Sequence, residues 1–263
     1  MSFKGYSLSV RGASHEDAGE VCQDSTRFFI THGLAVAAVS DGHGSEKHFR
    51  SAAGSEMATR VAIRSLCDFC ERNGGLRELF ADDPDNAARR IAANIICGWN
   101  GEIAAHTRFS PLNERERAIS DKYGGIAAEI MYGATLIVAA ATESCCFGLQ
   151  IGDGSFIALD GEKILSPMPE DSKLMANLTT SLCDSDAIGS FRYFFRDGGF
   201  SGVMLSSDGL INSFRSEQDF FSFGRRVIDA VSENETAYLP DHLKARSRNG
   251  SKDDISVAAI VLK

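Results

Sequence analysis

The sequence has five prolines and one tryptophan in 263 residues, and no apolar run near the ~20 residues that a membrane span requires. It lacks an internal repeat, a low-complexity tract and a Pro/Ser linker, which argues against a repeat array or a string of modules. It also lacks a basic excess: 27 Lys and Arg face 36 Asp and Glu, for a formal charge of −9. Neither nucleic acid nor an anionic membrane is then expected as a partner through bulk electrostatics. The opening Met1-Ser2-Phe3-Lys4-Gly5-Tyr6 turns polar at once, without the apolar stretch of a secretory signal. Seven cysteines occur without framework spacing. Cys67 and Cys70 form a C-x-x-C within a helical stretch that has no second pair, which reads as reduced thiols rather than a zinc or redox site. These absences point to a cytoplasmic protein.

What is present is an ordinary globular composition, 43% hydrophobic and 24% charged. It is spread over a length sufficient for one large core, so a single domain over residues 1–263 is expected. Short apolar runs predict strands over residues 6–10, 26–30 and 34–40. A helical period follows over 45–72, with Ser45 as a candidate N-cap and Asn73-Gly74-Gly75 as its stop. A second long helix is predicted over 85–106 behind Pro84, with Ile91, Ile95, Trp99 and Ile103 spaced by four. Residues 107–130 read as a short helix and a loop. Strands over 134–142, 145–150 and 155–159, separated by tight turns, read as an antiparallel meander. Further strands are expected over 191–195 and 203–206, a helix over 217–232, a charged connector over 242–252 and a last strand over 255–261. This order does not alternate as a doubly wound sheet would. It predicts an α+β fold in which two antiparallel sheets are covered by helices.

The chemistry sits in three aspartate motifs at strand ends: Asp41-Gly42-His43-Gly44, Ser207-Asp208-Gly209 and Asp253-Asp254. Carboxylates converging at one sheet edge repel unless a cation lies between them. An all-oxygen donor set suits hard ions such as Mg²⁺ or Mn²⁺. Asp153, between Gly152 and Gly154, reads most simply as a hairpin turn. Asp254 reads as orienting the strand start, and His15 as a surface or turn histidine. Cys145, Cys146, Trp99 and Phe220, Phe221 and Phe223 read as packing residues.

In chain order, Gln23-Asp24, Asp41-Gly42-His43-Gly44, Gly133-Ala134-Thr135, Gly152-Asp153-Gly154, Ser207-Asp208-Gly209 and Asp253-Asp254-Ile255-Ser256 form a set. Together they resemble the metal-dependent protein serine/threonine phosphatases of type 2C, the PPM family. The likeness runs over nearly the whole chain, and Gly12-Ala13-Ser14-His15 with Cys22-Gln23-Asp24 resembles a bacterial branch.

The resemblance implies a four-layer α-β-β-α sandwich that holds two Mn²⁺ or Mg²⁺ ions at one end. By position, Asp41 would bridge both ions, Gly42 would offer its carbonyl, Asp208 and Asp253 would bind one ion, and Asp24 would hold bound waters. Asp153 would serve a third, weaker ion, and His43 would be the general acid. The implied activity is hydrolysis of phosphoserine and phosphothreonine on phosphorylated protein substrates in signalling. A water shared by two ions ~3.5–4 Å apart would attack the phosphorus, and a histidine would protonate the leaving alkoxide.

The chain departs from the family where many members carry a phosphate-gripping arginine five residues before the aspartate matched by Asp24. Gly19 stands there, and Arg11, His15 and Arg27 are the candidates to replace it. The missing arginine motivates a rival reading, a pseudophosphatase that binds a phosphoprotein or regulatory partner without turnover. A hydrolase of phosphorylated small molecules on the same centre is a third. Residues 163–200, where the family has a flap shaping substrate choice, carry no readable pattern beyond the strand at their end.

Overall fold

The computed structural model describes residues 2–171 and 179–263. The strands are β1 (Phe3–Val10), β2 (Ser25–Thr31), β3 (Leu34–Ser40), β4 (Leu136–Ala141), β5 (Cys145–Ile151), β6 (Ser155–Asp160), β7 (Lys163–Leu165), β8 (Arg192–Asp197), β9 (Gly202–Ser206) and β10 (Ile255–Leu262). One antiparallel sheet has the order β1-β10-β9-β6-β7, the other β2-β3-β4-β5-β8. The first and last strands pair along their full length, from Phe3 opposite Leu262 to Val10 opposite Ile255.

Side-chain alternation shows why these segments form a sandwich. Along β3, Ala35, Ala37 and Val39 point between the sheets, while Val36 and Ala38 face helices. Along β10, Ala258 and Ile260 face the other sheet, and Ile255, Val257, Ala259 and Val261 face outward to helices. Both faces are buried, so the strands read as unbroken apolar runs. The α+β sandwich of two helix-flanked sheets is the observed architecture.

The helices are α1 (Ala13–Ala18), α2 (Ser51–Asn73), α3 (Leu76–Leu79), α4 (Pro84–Phe109), α5 (Glu114–Lys122), α6 (Ala128–Met131), α7 (Ala187–Ser190), α8 (Asp208–Ile211), α9 (Glu217–Glu233) and α10 (Leu239–Asn249). Helices α2 and α4 cover the outer face of the β3 sheet, with Trp99 and Ile91 fully buried there. Helices α9 and α10 cover the other sheet through Phe220, Phe223, Leu239 and Leu243. Phe221 is only half-buried at that edge. Among the described residues no helix is long and apolar enough to cross a membrane. All seven cysteines are free, with Cys145 and Cys146 buried in β5 as expected of packing residues.

Three expectations are corrected. Helix α2 starts at Ser51 rather than 45, because the Arg50 N–H is taken by the Met131 carbonyl (2.8 Å) and Glu46–His48 form a separate 3₁₀ turn. Ser45 makes no side-chain cap there. The meander breaks after β5: that strand pairs with β4 and β8, while β6 pairs with β7 and β9 in the other sheet. Gly152-Asp153-Gly154 is therefore a crossing between sheets and not a hairpin. Buried on both faces, a strand carries no pattern that reveals which sheet it joins. The charged connector over 242–252 is mostly helix, α10, whose Leu239 and Leu243 are buried.

The pairing registers gather five chain segments at one end of the sandwich. Ser25 opposes Ser40, Ile137 opposes both Val39 and Gln150, and Ser206 opposes both Ser155 and Val257. The residues just outside these pairs are Asp24, Asp41, Asp153, Asp208 and Asp253. Away from that end, α2 passes close to the segment before β4: a Cβ on Gly54 would overlap the Tyr132 carbonyl. Trp99 Nε1 also donates to the Gly54 carbonyl at 2.9 Å. Gly54→Ala is expected to cost about 1–3 kcal/mol through overpacking, seen as a lower urea midpoint; an unchanged midpoint would show that the two elements separate freely.

Candidate metal centre

Beyond β3 the chain continues the sheet for three residues. Thr135 N–H donates to Asp41 O (2.8 Å), Asp41 N–H to Thr135 Oγ1 (3.1 Å) and His43 N–H to Gly133 O (3.1 Å). These bonds flank the Gly42–Ala134 bridge and leave the Gly42 carbonyl outside the pairing. Asp208 opens α8 directly after β9, and Asn212 Nδ2 donates to its Oδ2 at 3.1 Å. Any Cβ on Gly209 would overlap the Asp254 carbonyl, so only glycine lets these two strand ends close on each other. Asp253 sits at the exposed mouth, where its Oδ1 accepts from Asp254 N–H at 2.8 Å.

Asp254 has a different task. It is 3% exposed, and its two oxygens accept from Gly12 N–H and Gln23 N–H, both at 2.6 Å. It thereby ties the segment before β2 to the start of β10, the orienting role its position suggested. Asp24 lies behind the cleft, where its Oδ2 accepts from Ser207 Oγ at 2.7 Å. Its Oδ1 is buried without a partner among the described residues.

The cleft these segments enclose has a volume of ≈ 310 Å³ and is lined by Asp41, Asp153, Asp208, Asp253, Gly42 and His43, among others. Burial raises the Asp24 carboxyl to about 8, helped by the neighbouring Asp254 and Asp253 and opposed by the Ser207 hydroxyl. Burial, then the charges of Asp24 and Asp208, holds Asp41 far above the ordinary carboxylate range. Asp208 is raised by burial and by Asp153 and Asp253, and it lies within hydrogen-bonding distance of Asp41. Burial also raises Asp253. Such a cluster either keeps protons or takes up cations.

The donor set fits a hard cation. It is all oxygen, includes a backbone carbonyl outside the strand pairing, and contains a buried carboxylate oxygen with no hydrogen-bond partner among the described residues. Among the described residues no three His, Cys, Asp or Glu side chains group closely enough to hold an ion by themselves. Mg²⁺ is accommodated through one or two carboxylates and several waters, a looser requirement that this cleft meets.

His43 is half-buried against the same cleft. Its Nε2 is 2.7 Å from Ser181 Oγ, and its ring meets His48 edge-on at 4.8 Å. Ser181 Oγ also reaches Ala134 O at 3.1 Å and Cys183 Sγ at 3.2 Å, and which of His43 Nε2 and Ser181 Oγ donates depends on the ring tautomer. Burial, with the nearby His48, pushes His43 down to about 4, so it is neutral at pH 7 in this arrangement.

Of the three candidates for the missing arginine, only His15 reaches the cleft, with Nδ1 3.0 Å from Asp254 Oδ1. The angle there falls short of a hydrogen bond. Its placement corrects the surface-histidine reading. Arg11 turns to the Glu20 carbonyl (3.2 Å), and Arg27 pairs with Glu56 (3.0 Å) in a separate groove. Arg192, beside Asp153, is occupied by the carbonyls of Gly152 and Pro169 (2.7 Å each). Sequence reading assigned no role to Thr135 and Ser207, although both lay inside quoted motifs. Ser181 and Thr179, which line or support the cleft, had no signal at all. The family's flap falls partly on 172–178, outside the described residues.

The family model for protein phosphatase 2C matches residues 11–245. The catalytic domain of the serine/threonine protein phosphatase PstP, solved with two manganese ions, is 18% identical, covers 98% of this chain and 97% of its own, and superposes with a TM-score of 0.57. Stp1, a serine/threonine phosphatase from Staphylococcus aureus, is 15% identical over 100% and 96% of the two chains, at a TM-score of 0.61. PppA from Pseudomonas aeruginosa is 18% identical over 99% and 98%, at 0.58. No curated protein matches the chain significantly. At these identities the structural likeness speaks for the fold.

The raised carboxyls give a stability signature. Folded Asp24 keeps its proton to about pH 8, whereas its ordinary value is 3.8. The cation-free folded state therefore binds more protons than the unfolded chain between those values, and it loses stability as pH rises through them. In EDTA the melting temperature is expected to fall between pH 5 and pH 8, and added Mn²⁺ should raise it most at pH 8. A melting temperature in EDTA that climbs over this window would contradict the protonated cluster.

Proposed function

Given that the chain belongs to the protein phosphatase 2C family, we propose that it hydrolyses serine and threonine phosphate esters on proteins, with the aspartate cleft as the reacting site. The observation that carries this is the convergence of Asp41, Asp208, Asp253 and Asp153 on one cleft beside His43. We take the chain as a single phosphatase domain acting in the cytoplasm.

Asp41, Asp208 and Asp253 would hold two cations, Mn²⁺ or Mg²⁺, with the Gly42 carbonyl, while Asp24 supports them from behind. Asp153 on the rim would serve a third, weaker site. When bound, such ions would supply positive charge to the phosphate and lower the pKa of a water. The strand pairings around Asp41 and Asp254 keep the carboxylates from relaxing apart, so the site needs little reorganisation when substrate enters. A serine alkoxide is a poor leaving group and needs a proton at its Oγ. His43 would supply it, its ring held through Nε2 by Ser181. The ring is neutral at pH 7 as it stands, so an arriving phosphate dianion would have to raise its proton affinity first.

No Lys or Arg lines the cleft among the described residues, the one feature that favours a partner-binding module without turnover. Hydrolysis of p-nitrophenyl phosphate, with EDTA or Mn²⁺, separates the two. Turnover that requires Mn²⁺ is expected, along with its loss in well-folded Asp208→Asn and Asp41→Asn variants. A folded wild-type chain inert with both Mn²⁺ and Mg²⁺ would leave the binding module. His43→Ala is expected to lower hydrolysis of a phosphoserine peptide by ~100-fold or more and that of p-nitrophenyl phosphate far less. Equal losses on both would remove His43 as the acid.

A further inference from the structure

Beside the cleft, across Gln23 and Gly44, lies a groove of ≈ 590 Å³, nearly twice the cleft's ≈ 310 Å³. Gln23 and Gly44 line both, so the two adjoin. The groove presents an apolar seat of Val21, 65% exposed, with half-buried Phe49 and Ile119. Its acidic side chains are largely neutralised from within: Glu116 pairs with Arg50 at 2.8 Å, and Glu46 with Lys122 at 2.6 Å.

Gln23 stands at the junction with its backbone immobilised. Its N–H donates to Asp254, and its carbonyl accepts from Ser55 Oγ, each at 2.6 Å. Its side-chain Oε1 is buried beside Gly44 and has no donor among the described residues. A buried acceptor of this kind is costly unless a donor reaches it.

The occupant follows from these features. A free phosphate or a small ester would fit within the cleft alone and leave the groove unused. Nucleic acid is disfavoured by the formal charge of −9 and by a lining in which Arg115 stands against Glu20, Glu46 and Glu116. An extended peptide, advancing ~3.3 Å per residue, would span both, with backbone N–H groups to donate and side chains to seat. We propose that this groove holds the stretch of a phosphoprotein substrate that flanks its phosphorylated residue, in extended form. One backbone N–H of that stretch bonds Gln23 Oε1, and an apolar side chain rests on Val21, Phe49 and Ile119. This assignment rests on the phosphatase reading of the cleft.

The test compares a phosphoserine peptide with leucines on both sides of the phosphoserine and its glycine-flanked counterpart, using p-nitrophenyl phosphate as the small substrate. The readout is the ratio of kcat/KM for peptide to kcat/KM for p-nitrophenyl phosphate. In Ile119→Glu and Val21→Glu that ratio is expected to fall about tenfold or more for the leucine peptide, since each puts a charge into the apolar seat. The glycine peptide should start lower and change little, the non-additivity expected of groups in contact. Val21 is mostly exposed, which keeps one variant clear of folding defects. Ratios unchanged in both variants, or a glycine peptide handled as well as the leucine one, would overturn the groove. If the wild-type chain hydrolyses nothing in Mn²⁺, the phosphatase reading fails separately, and fluorescence anisotropy of labelled peptides then decides. Binding that prefers leucine and is lost in the variants upholds the groove; binding indifferent to both overturns it.

Discussion

Carboxylates that repel one another are held together at the end of this sandwich by backbone pairing on either side of them. Asp41 is fixed by bonds to the 133–135 segment, and Asp208 and Asp253 are fixed because Gly209 lets their strand ends close. None of these bonds uses the carboxylate oxygens of Asp41, Asp208 or Asp253 to oppose the charge. The repulsion is carried by the core, whose inter-sheet layer and two helix-covered faces are almost wholly apolar. The chain thus holds an electrostatically unfavourable cluster in a scaffold too rigid to release it, and relief comes from protons or cations.

The same logic divides the acidic residues by task. Asp254, with two backbone donors and His15 beside it, has its charge satisfied internally and acts as a brace. Asp24 has one satisfied oxygen and one orphaned oxygen, so it faces both ways. Asp41, Asp153, Asp208 and Asp253 turn to the cleft. Of the two cleft histidines, His43 is anchored through Ser181, and His15 stands 3.0 Å from Asp254 without a hydrogen bond to it.

Much of this was legible in the residues. The aspartate–glycine pairs after apolar runs mark strand ends, and their order along the chain carries the family likeness that the match over residues 11–245 establishes. Helix α4 was readable from Pro84 and a four-residue apolar spacing, and α9 from its phenylalanine stripe. The meander was misread because β5 and β6 are buried on both faces, and a Gly-Asp-Gly turn serves a sheet crossing as well as a hairpin. Helix α10 was missed because its two buried leucines are set among charged residues.

The sequence by itself determined the chemistry available: an oxygen-only donor set at strand ends, no arginine at the Gly19 position, reduced cysteines and an acidic surface. These follow from residue types and local spacing, which need no knowledge of distant contacts. Only the tertiary structure decided which carboxylates share a cleft and which backbone N–H groups Asp254 holds. It also decided that His15 rather than Arg11 or Arg27 reaches the site, and that Gln23 joins the cleft to a groove. The reason is register. Pairings such as Gly12 with Asp254, 242 residues apart, are set by how two sheets align, and no local pattern encodes that alignment.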